Sequence, residues 1–228
     1  MKNQSVFQLA LGLALSLAAG LAAAQTHSVY LGGARIDVRA KAPALEGGPA
    51  VPAPGGLLEV GDATTTGFGY VYHATPQWAV EVALGIPPRH KVYGEGFLKP
   101  FGQISSVKQL PPTVFVNYHF NEILPKLTPM VGLGLNYTKF SSARSTASGD
   151  AASGGSTKIT LDDSWGLAAH AGLNYQIDKN WSLVSTVAMA KVKSDMKAVT
   201  STREGNVTRT TTIDFRPIVY TLSLGYTF

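Results

Sequence analysis

Residues 78–86 read Trp-Ala-Val-Glu-Val-Ala-Leu-Gly-Ile, and bulky apolar side chains occupy every second position of this stretch. The positions between them hold Ala, Glu or Gly. Successive side chains of a β-strand point to opposite faces of a sheet, whereas a helix would scatter these apolar residues around its surface. The opposite face is too small and polar to pack a core. The stretch therefore predicts a strand whose apolar face meets lipid and whose other face meets the lumen of a barrel.

The same alternation recurs along the chain and predicts eight strands. Their ranges are 29–39, 64–73, 78–86, 113–120, 129–140, 165–177, 181–192 and 213–228. The connections alternate between short ones, near 74–77, 121–128 and 178–180, and long polar or Pro/Gly-rich ones, at 41–61, 91–106, 141–160 and 193–212. We predict an all-β fold, an eight-stranded antiparallel transmembrane β-barrel with short periplasmic turns and long extracellular loops. The stretches 43–56 and 141–156 are assigned no secondary structure.

The amino terminus has the features of an export signal. Lys2 supplies a positive charge, residues 7–21 are mostly apolar, and Ala22-Ala23-Ala24 offers a small-residue cleavage site. An uncleaved anchor is the alternative, but the apolar stretch is short and diluted by Ala and Gly. We expect residues 1–24 to be a cleavable signal peptide, residues 25–228 to form the barrel, and the protein to lie in the bacterial cell outer membrane.

Composition excludes several other classes. Residues 25–228 contain no run of the 18 or more apolar residues that a spanning helix needs. Lipid offers no partner for backbone polar groups, so such a chain can cross only as a closed sheet. The net charge of +5 comes from scattered basic residues, which argues against nucleic acid as a partner. The chain has no cysteine and no metal or nucleotide motif, and we expect no cofactor.

Many side chains on the predicted inner face are small. The interior of an eight-stranded barrel is just filled by ordinary side chains, so small ones leave room for a solute. The alternative is that the glycines serve sheet curvature and packing beneath aromatic rings. Charged inward residues are expected to pair inside the lumen and to close the aqueous path towards the periplasm. The candidate channel-lining residues are Arg35, Asp37, Gly69, Glu81, Ala83, Gly132, Gly134 and His170.

Two proline pairs flank the predicted third and fourth strands. Pro87, Pro88, Pro111 and Pro112 lack the N–H donor of a strand, so they are expected to interrupt the ladder and open the wall locally. The alternative is a loop edge where no pairing is needed. Trp165, at the start of the sixth strand, either narrows the outer mouth or anchors the barrel at the membrane interface.

Several short motifs, taken in their order and spacing, resemble the OmpW family of small outer-membrane barrels, which includes AlkL-type hydrocarbon-uptake proteins. The motifs are Leu110-Pro111-Pro112-Thr113, Pro129-x-Val131-Gly132-x-Gly134-x-Asn136-Tyr137-Thr138-x-Phe140, Asp163-Ser164-Trp165-Gly166 and Gly225-Tyr226-x-Phe228. The resemblance implies a monomeric eight-stranded barrel with a narrow apolar channel. It also implies that small hydrophobic molecules leave the channel sideways through a gap in the wall.

The function expected from these observations is passive uptake of small hydrophobic solutes. The alternative is a structural or receptor-type barrel without transport. Catalysis is not expected, because none of the five histidines stands in a nucleophile motif, although His90 with Asp162 or Asp163 is a conceivable hydrolytic set. Expected partners are outer-membrane lipids, the solutes themselves, and the barrel-assembly machinery, which would recognise the carboxy-terminal strand.

Overall fold

The computed structural model describes residues 26–49 and 51–228, so the predicted signal peptide lies outside the described residues. Fourteen strands, one short 3-10 helix at Lys99–Phe101 and one α-helix make up the described chain. The strands are β1 His27–Val38, β2 Gly56–Val60, β3 Ala63–His73, β4 Trp78–Gly85, β5 Arg89–Gly96, β6 Gln103–Leu110, β7 Thr113–His119, β8 Leu127–Ser145, β9 Ser156–Leu161, β10 Ser164–Gln176, β11 Trp181–Ala190, β12 Lys193–Thr202, β13 Gly205–Asp214 and β14 Pro217–Thr227.

Eight of these strands close into an antiparallel barrel. They follow one another in the order β1, β3, β4, β7, β8, β10, β11 and β14. The last strand returns to the first, and their continuous register runs from Ser28 opposite Thr227 to Val38 opposite Pro217. Closure leaves no sheet edge exposed to lipid, which is the condition for spanning a bilayer with strands. The prediction of eight barrel strands is confirmed.

The other six strands extend the barrel beyond the membrane as an extracellular tier. Strand β6 pairs with the outer half of β8, β5 pairs with β6, and β2 pairs with β5. Strands β9, β12 and β13 form a separate sheet. The prediction that 141–156 has no secondary structure is wrong, because β8 continues to Ser145 and helix α1 spans Ala147–Ser153. Alternating apolar residues of these hairpins pack together, so their backbones pair as sheets. No helix among residues 26–49 and 51–228 is long and apolar enough to cross a membrane.

The outer face of the barrel carries an apolar belt. Leu133, Leu167 and Trp165 are 73%, 71% and 74% exposed, as expected of side chains that face lipid. Aromatic pairs mark the two rims: the rings of Trp181 and Tyr226 lie 4.9 Å apart near the periplasmic end. At the outer end, the rings of Trp165 and Tyr137 lie 4.8 Å apart. This arrangement is typical of outer-membrane barrels, in which aromatic girdles flank the hydrocarbon region.

The belt predicts that a charge within it is costly, whereas the same charge outside it is tolerated. Leu133→Arg should lower the free energy of unfolding by up to about 2–4 kcal/mol, because the cation faces hydrocarbon. Ile123→Arg is the matched control, since Ile123 is 61% exposed in the periplasmic turn between β7 and β8. Urea unfolding in lipid vesicles measures both. Equal stability of the two variants would contradict the assignment of the belt.

Candidate solute channel

The interior of the barrel contains a large cavity to which the inner faces of all eight barrel strands contribute. It encloses about 1270 Å³ of empty space, its open parts included. Its lining combines small residues such as Gly67, Gly69 and Ala83 with larger apolar ones such as Ile36 and Val219. The lining is therefore largely apolar.

A hydrogen-bonded network forms the floor of this cavity. Asn117 Nδ2 donates to Glu81 Oε2 at 2.7 Å, and Asn117 Oδ1 lies 2.7 Å from His170 Nε2. The ring of Phe115 stacks on the imidazole of His170 with centroids 4.3 Å apart. Glu81 and His170 line the cavity from below, whereas Asn117 lies beneath them and does not.

The periplasmic end below the floor is filled by side chains. Ser28 Oγ lies 2.8 Å from His73 Nε2 and 2.9 Å from Thr227 Oγ1. The rings of His73 and His119 are 5.7 Å apart. These residues face inward, and none of them lines the cavity. The cavity is thus separated from the periplasmic rim by these polar side chains and by a buried apolar cluster of Tyr30, Val71, Ala79, Met130 and Val184.

Four of the eight candidate channel-lining residues border the cavity, namely Gly69, Glu81, Ala83 and His170. Gly132 and Gly134 face inward but are covered. A Cβ atom at Gly132 would overlap Asn117 Oδ1 and His170 Nε2, and one at Gly134 would lie 2.8 Å from a ring carbon of Phe115. These two glycines make room for the floor rather than for a solute, which is the packing alternative raised from the sequence.

The prediction that Arg35 and Asp37 face the lumen is wrong. The register of β1 turns Tyr30, Ala34 and Ile36 inward and places Arg35 on the outer face. There Arg35 Nε lies 2.7 Å from Asp37 Oδ1, and Arg35 Nη2 lies 3.3 Å from Asp62 Oδ2. The physical reason is the position of these residues along the membrane normal. At the outer end of β1 a charge on the outer face can form ion pairs outside the hydrocarbon region, while the inner face borders an apolar cavity.

The wall of the barrel is interrupted between β4 and the β6–β7 connection. The β4–β7 ladder ends at Ala83 opposite Thr113. The next backbone contact is Gln109 N, which donates to Pro88 O at 3.2 Å, and the β5–β6 ladder then begins at Arg89 opposite Lys108. Between these rungs, residues 84–87 remain attached to β3 through Ile86 N and Thr66 O, 2.9 Å apart. Within the described chain, no backbone hydrogen bond joins 84–87 to 110–112.

The cavity lining extends to this interruption. Leu84 and Ile86 are 37% and 54% exposed on the outer face and also line the cavity, as do the exposed side chains of Phe68 on β3 and Met189 on β11. The other residues of the opening are Pro88, Gln109, Pro111 and Thr113. The opening lies level with the outer aromatic pair, because Tyr137 N donates to Pro112 O at 3.0 Å.

The prolines divide into two that border the opening and two that flank it. Pro88 and Pro111 line the cavity, whereas Pro87 and Pro112 do not.

Trp165 also lies outside the cavity, on the outer wall against Tyr137, whose hydroxyl donates to Asp163. Of the two alternatives left open for Trp165, the structure places it at the interface. Gln109 was missed, because residue 109 lies between the predicted loop 91–106 and the predicted fourth strand 113–120, and was assigned to neither.

The extracellular tier has a hydrophobic core of its own above the cavity. Its buried residues include Val92, Met196 and Phe215, and the rings of Phe140 and Phe215 stack 5.1 Å apart.

His90 lies fully buried in this core, with Nδ1 2.8 Å from Gly61 O. Burial lowers the pKa of His90, which favours the neutral imidazole near neutral pH. No hydrogen bond or ion pair joins His90 to Asp162 or Asp163 in the described chain.

Two smaller cavities lie within this tier. The uppermost has about 790 Å³ of empty space, its open parts included, and is bordered by Leu58, Ile159 and Met196 among others. A second, of about 300 Å³, shares these three residues and reaches Phe215. The apolar interior therefore continues from the outer surface down to the Phe140–Phe215 stack.

The floor geometry generates a prediction about two inward glycines. Gly132→Ala should lower the free energy of unfolding by about 1–3 kcal/mol, because the added methyl group overlaps Asn117 and His170. Gly67→Ala is the matched control, since its nearest atoms would be 3.7 Å and 3.8 Å away. Denaturant titration of both variants measures the difference. If Gly132→Ala is as stable as Gly67→Ala, the floor is not packed as described.

Comparison with known proteins places this architecture in a family. The family model described as "OmpW family" matches residues 27–228. Outer membrane protein W of Vibrio cholerae serotype O1 is 34% identical over 172 residues, 75% of this chain and 76% of that protein. Outer membrane protein AlkL of Ectopseudomonas oleovorans is 30% identical over 175 residues, 77% of this chain and 70% of that protein.

A solved structure agrees with the sequence relatives. The crystal structure of OprG from Pseudomonas aeruginosa superposes with a TM-score of 0.79 at 26% identity, and the match covers 89% of this chain and 96% of OprG. The closed eight-stranded barrel, its lipid-facing belt and the sequence relatives agree on one location, the bacterial outer membrane. This chain therefore belongs to the OmpW family of outer-membrane β-barrel proteins.

Proposed function

We propose that this protein is a passive channel through which small hydrophobic molecules cross the outer leaflet and leave sideways into the membrane. The observation that carries the proposal is the opening between β4 and β7, where Leu84 and Ile86 face both the cavity and the outer surface. A solute in the cavity has an apolar way out through the wall and a hydrogen-bonded floor beneath it.

The physical chemistry favours apolar cargo. Moving apolar surface from water into the cavity is favourable by roughly 25 cal/mol per Å², and the hydrocarbon region beyond the opening offers the same environment. A solute thus meets no step at which apolar surface returns to water. A polar solute would lose water at Ile86 and Pro111 without gaining hydrogen bonds in lipid, so the opening selects against it.

Downward passage is opposed by the floor. Glu81, Asn117 and His170 already satisfy one another, and a solute passing between them would have to break their hydrogen bonds. Each such bond left unmade in a buried site costs about 1–3 kcal/mol.

The alternative of a structural or receptor-type barrel without transport uses the same fold but assigns no role to the opening.

The opening predicts that bulk at its inner rim slows uptake. Ala83→Trp should reduce the protein-dependent entry of n-octane into cells several-fold, because the indole fills the cavity beside Thr113, opposite Ala83 on β7. Ala169→Trp is the matched control, since Ala169 alternates with inward Ala168 and His170 and so faces lipid. Equal uptake by wild type, both variants and cells lacking the protein would remove the transport proposal in favour of the barrel without transport.

The floor predicts exclusion of hydrophilic solutes. Liposomes that contain the purified protein should not swell in isotonic arabinose, because hydrogen-bonded polar side chains and a buried apolar cluster fill the periplasmic end. Liposomes with a general porin provide the positive control. Swelling at a rate comparable to that control would show an open aqueous pore and would contradict lateral release.

A further inference from the structure

The uppermost cavity of the extracellular tier contains one charged side chain in an otherwise neutral lining. The cavity lies between the outer strands β2, β6, β9, β12 and β13 and helix α1. Its walls are mostly apolar and include Leu45, Leu58, Phe97, Ile159 and Met196. The exception is Arg209 of β13, which stands opposite Ala198 of β12.

Arg209 has no partner among the described residues. It takes part in none of the ion pairs, which join Arg35, Lys99 and Arg216 to nearby carboxylates. Its Nη1 atom is shielded from solvent and makes no hydrogen bond. Among the residues that the structure describes, no Asp or Glu lines this cavity. The guanidinium is therefore partly desolvated without the compensation that a buried cation ordinarily receives.

The chain covers this guanidinium with a glycine pair. Gly47 and Gly48 have φ values of 84° and 78°, in the left-handed region. A Cβ atom at Gly48 would lie 2.8 Å from Val207 Cγ1 and 3.2 Å from Arg209 Nε, so glycine suits both the close approach and the left-handed backbone. The cation is thus held between this loop and β13, with the apolar cavity beside it.

We infer that the upper cavity binds small amphipathic carboxylates, with the carboxylate on the Arg209 guanidinium and the hydrocarbon chain against Leu58 and Met196. The planar guanidinium presents paired N–H donors that match the two oxygens of a carboxylate. The chain would then extend towards the second cavity, which Leu58, Ile159 and Met196 also border. This inference rests on the proposed function, since it names a class of solute for the same apolar path.

The test compares probes that differ only in their head group. Octanoate, octanol and octylammonium are titrated by calorimetry near neutral pH against the full barrel in nanodiscs, with empty nanodiscs as the blank. Wild type should bind octanoate roughly tenfold more tightly than octanol, because a charge-assisted hydrogen bond adds to the same apolar contact. It should bind octylammonium more weakly than either.

Substitutions assign the preference to one side chain. Arg209→Met should lose the preference for octanoate while binding octanol as wild type does, which also shows that the cavity is still formed. Arg209→Lys should keep part of the preference. Arg203→Met is the matched control, since Arg203 is exposed in the turn between β12 and β13, and it should behave as wild type.

The inference and the proposed function fail in different ways. Equal binding of octanoate and octanol by wild type, or an unchanged preference in Arg209→Met, overturns the carboxylate site even if n-octane uptake depends on the protein. If cells with and without the wild-type protein take up n-octane equally, the channel is overturned even if Arg209 binds octanoate in nanodiscs.

Discussion

Backbone hydrogen bonding in a medium without water is the constraint on which the rest of this structure depends. Each N–H and C=O within the hydrocarbon region must find its partner in the sheet, so the eight strands close from β14 back to β1. Closure then fixes the parity of every strand. Bulky apolar residues must face lipid, and the small or polar ones between them form the lumen.

The gap between β4 and β7 is where this constraint is relaxed. Pro111 and Pro112 have no N–H to donate, so the missing ladder leaves fewer unpaired groups than it would elsewhere. The displaced carbonyls are partly satisfied, since Pro112 O accepts from Tyr137 N and Pro111 O accepts from Thr113 Oγ1 at 3.1 Å. The opening also lies level with the outer aromatic pair, where a broken ladder costs less than at the membrane centre.

Much of this architecture could be predicted from the sequence because lipid imposes a strict pattern. Trp78 to Gly85 alternates without a break, and such strands were placed to within a few residues. The pattern misled at Arg35 and Asp37, where β1 leaves the hydrocarbon region and a charge on the outer face no longer meets lipid. An inward-facing charge and an outward-facing interfacial charge share the same spacing, so alternation alone does not separate them.

The extracellular tier and the floor were less accessible to sequence reasoning, for two different reasons. The tier is built from hairpins whose partners are distant in the chain, as with Thr157 Oγ1 and Thr200 Oγ1, 2.9 Å apart. Gly132 had the residue type of a pore lining, but only the position of Asn117 and His170 shows that its space is already filled. Arg209, in a segment assigned to a loop, carried no sequence signal at all.

On the proposed route, solute occupies the cavity above the floor and reaches the membrane between β4 and β7. Crystals soaked with 1-bromooctane test this route directly through the anomalous signal of bromine. We expect bromine sites beside Ala83 and Thr113 and between Ile86 and Pro111. Bromine sites below the Glu81–Asn117–His170 network, beside Ser28 and His119, with none at the wall opening, would contradict it.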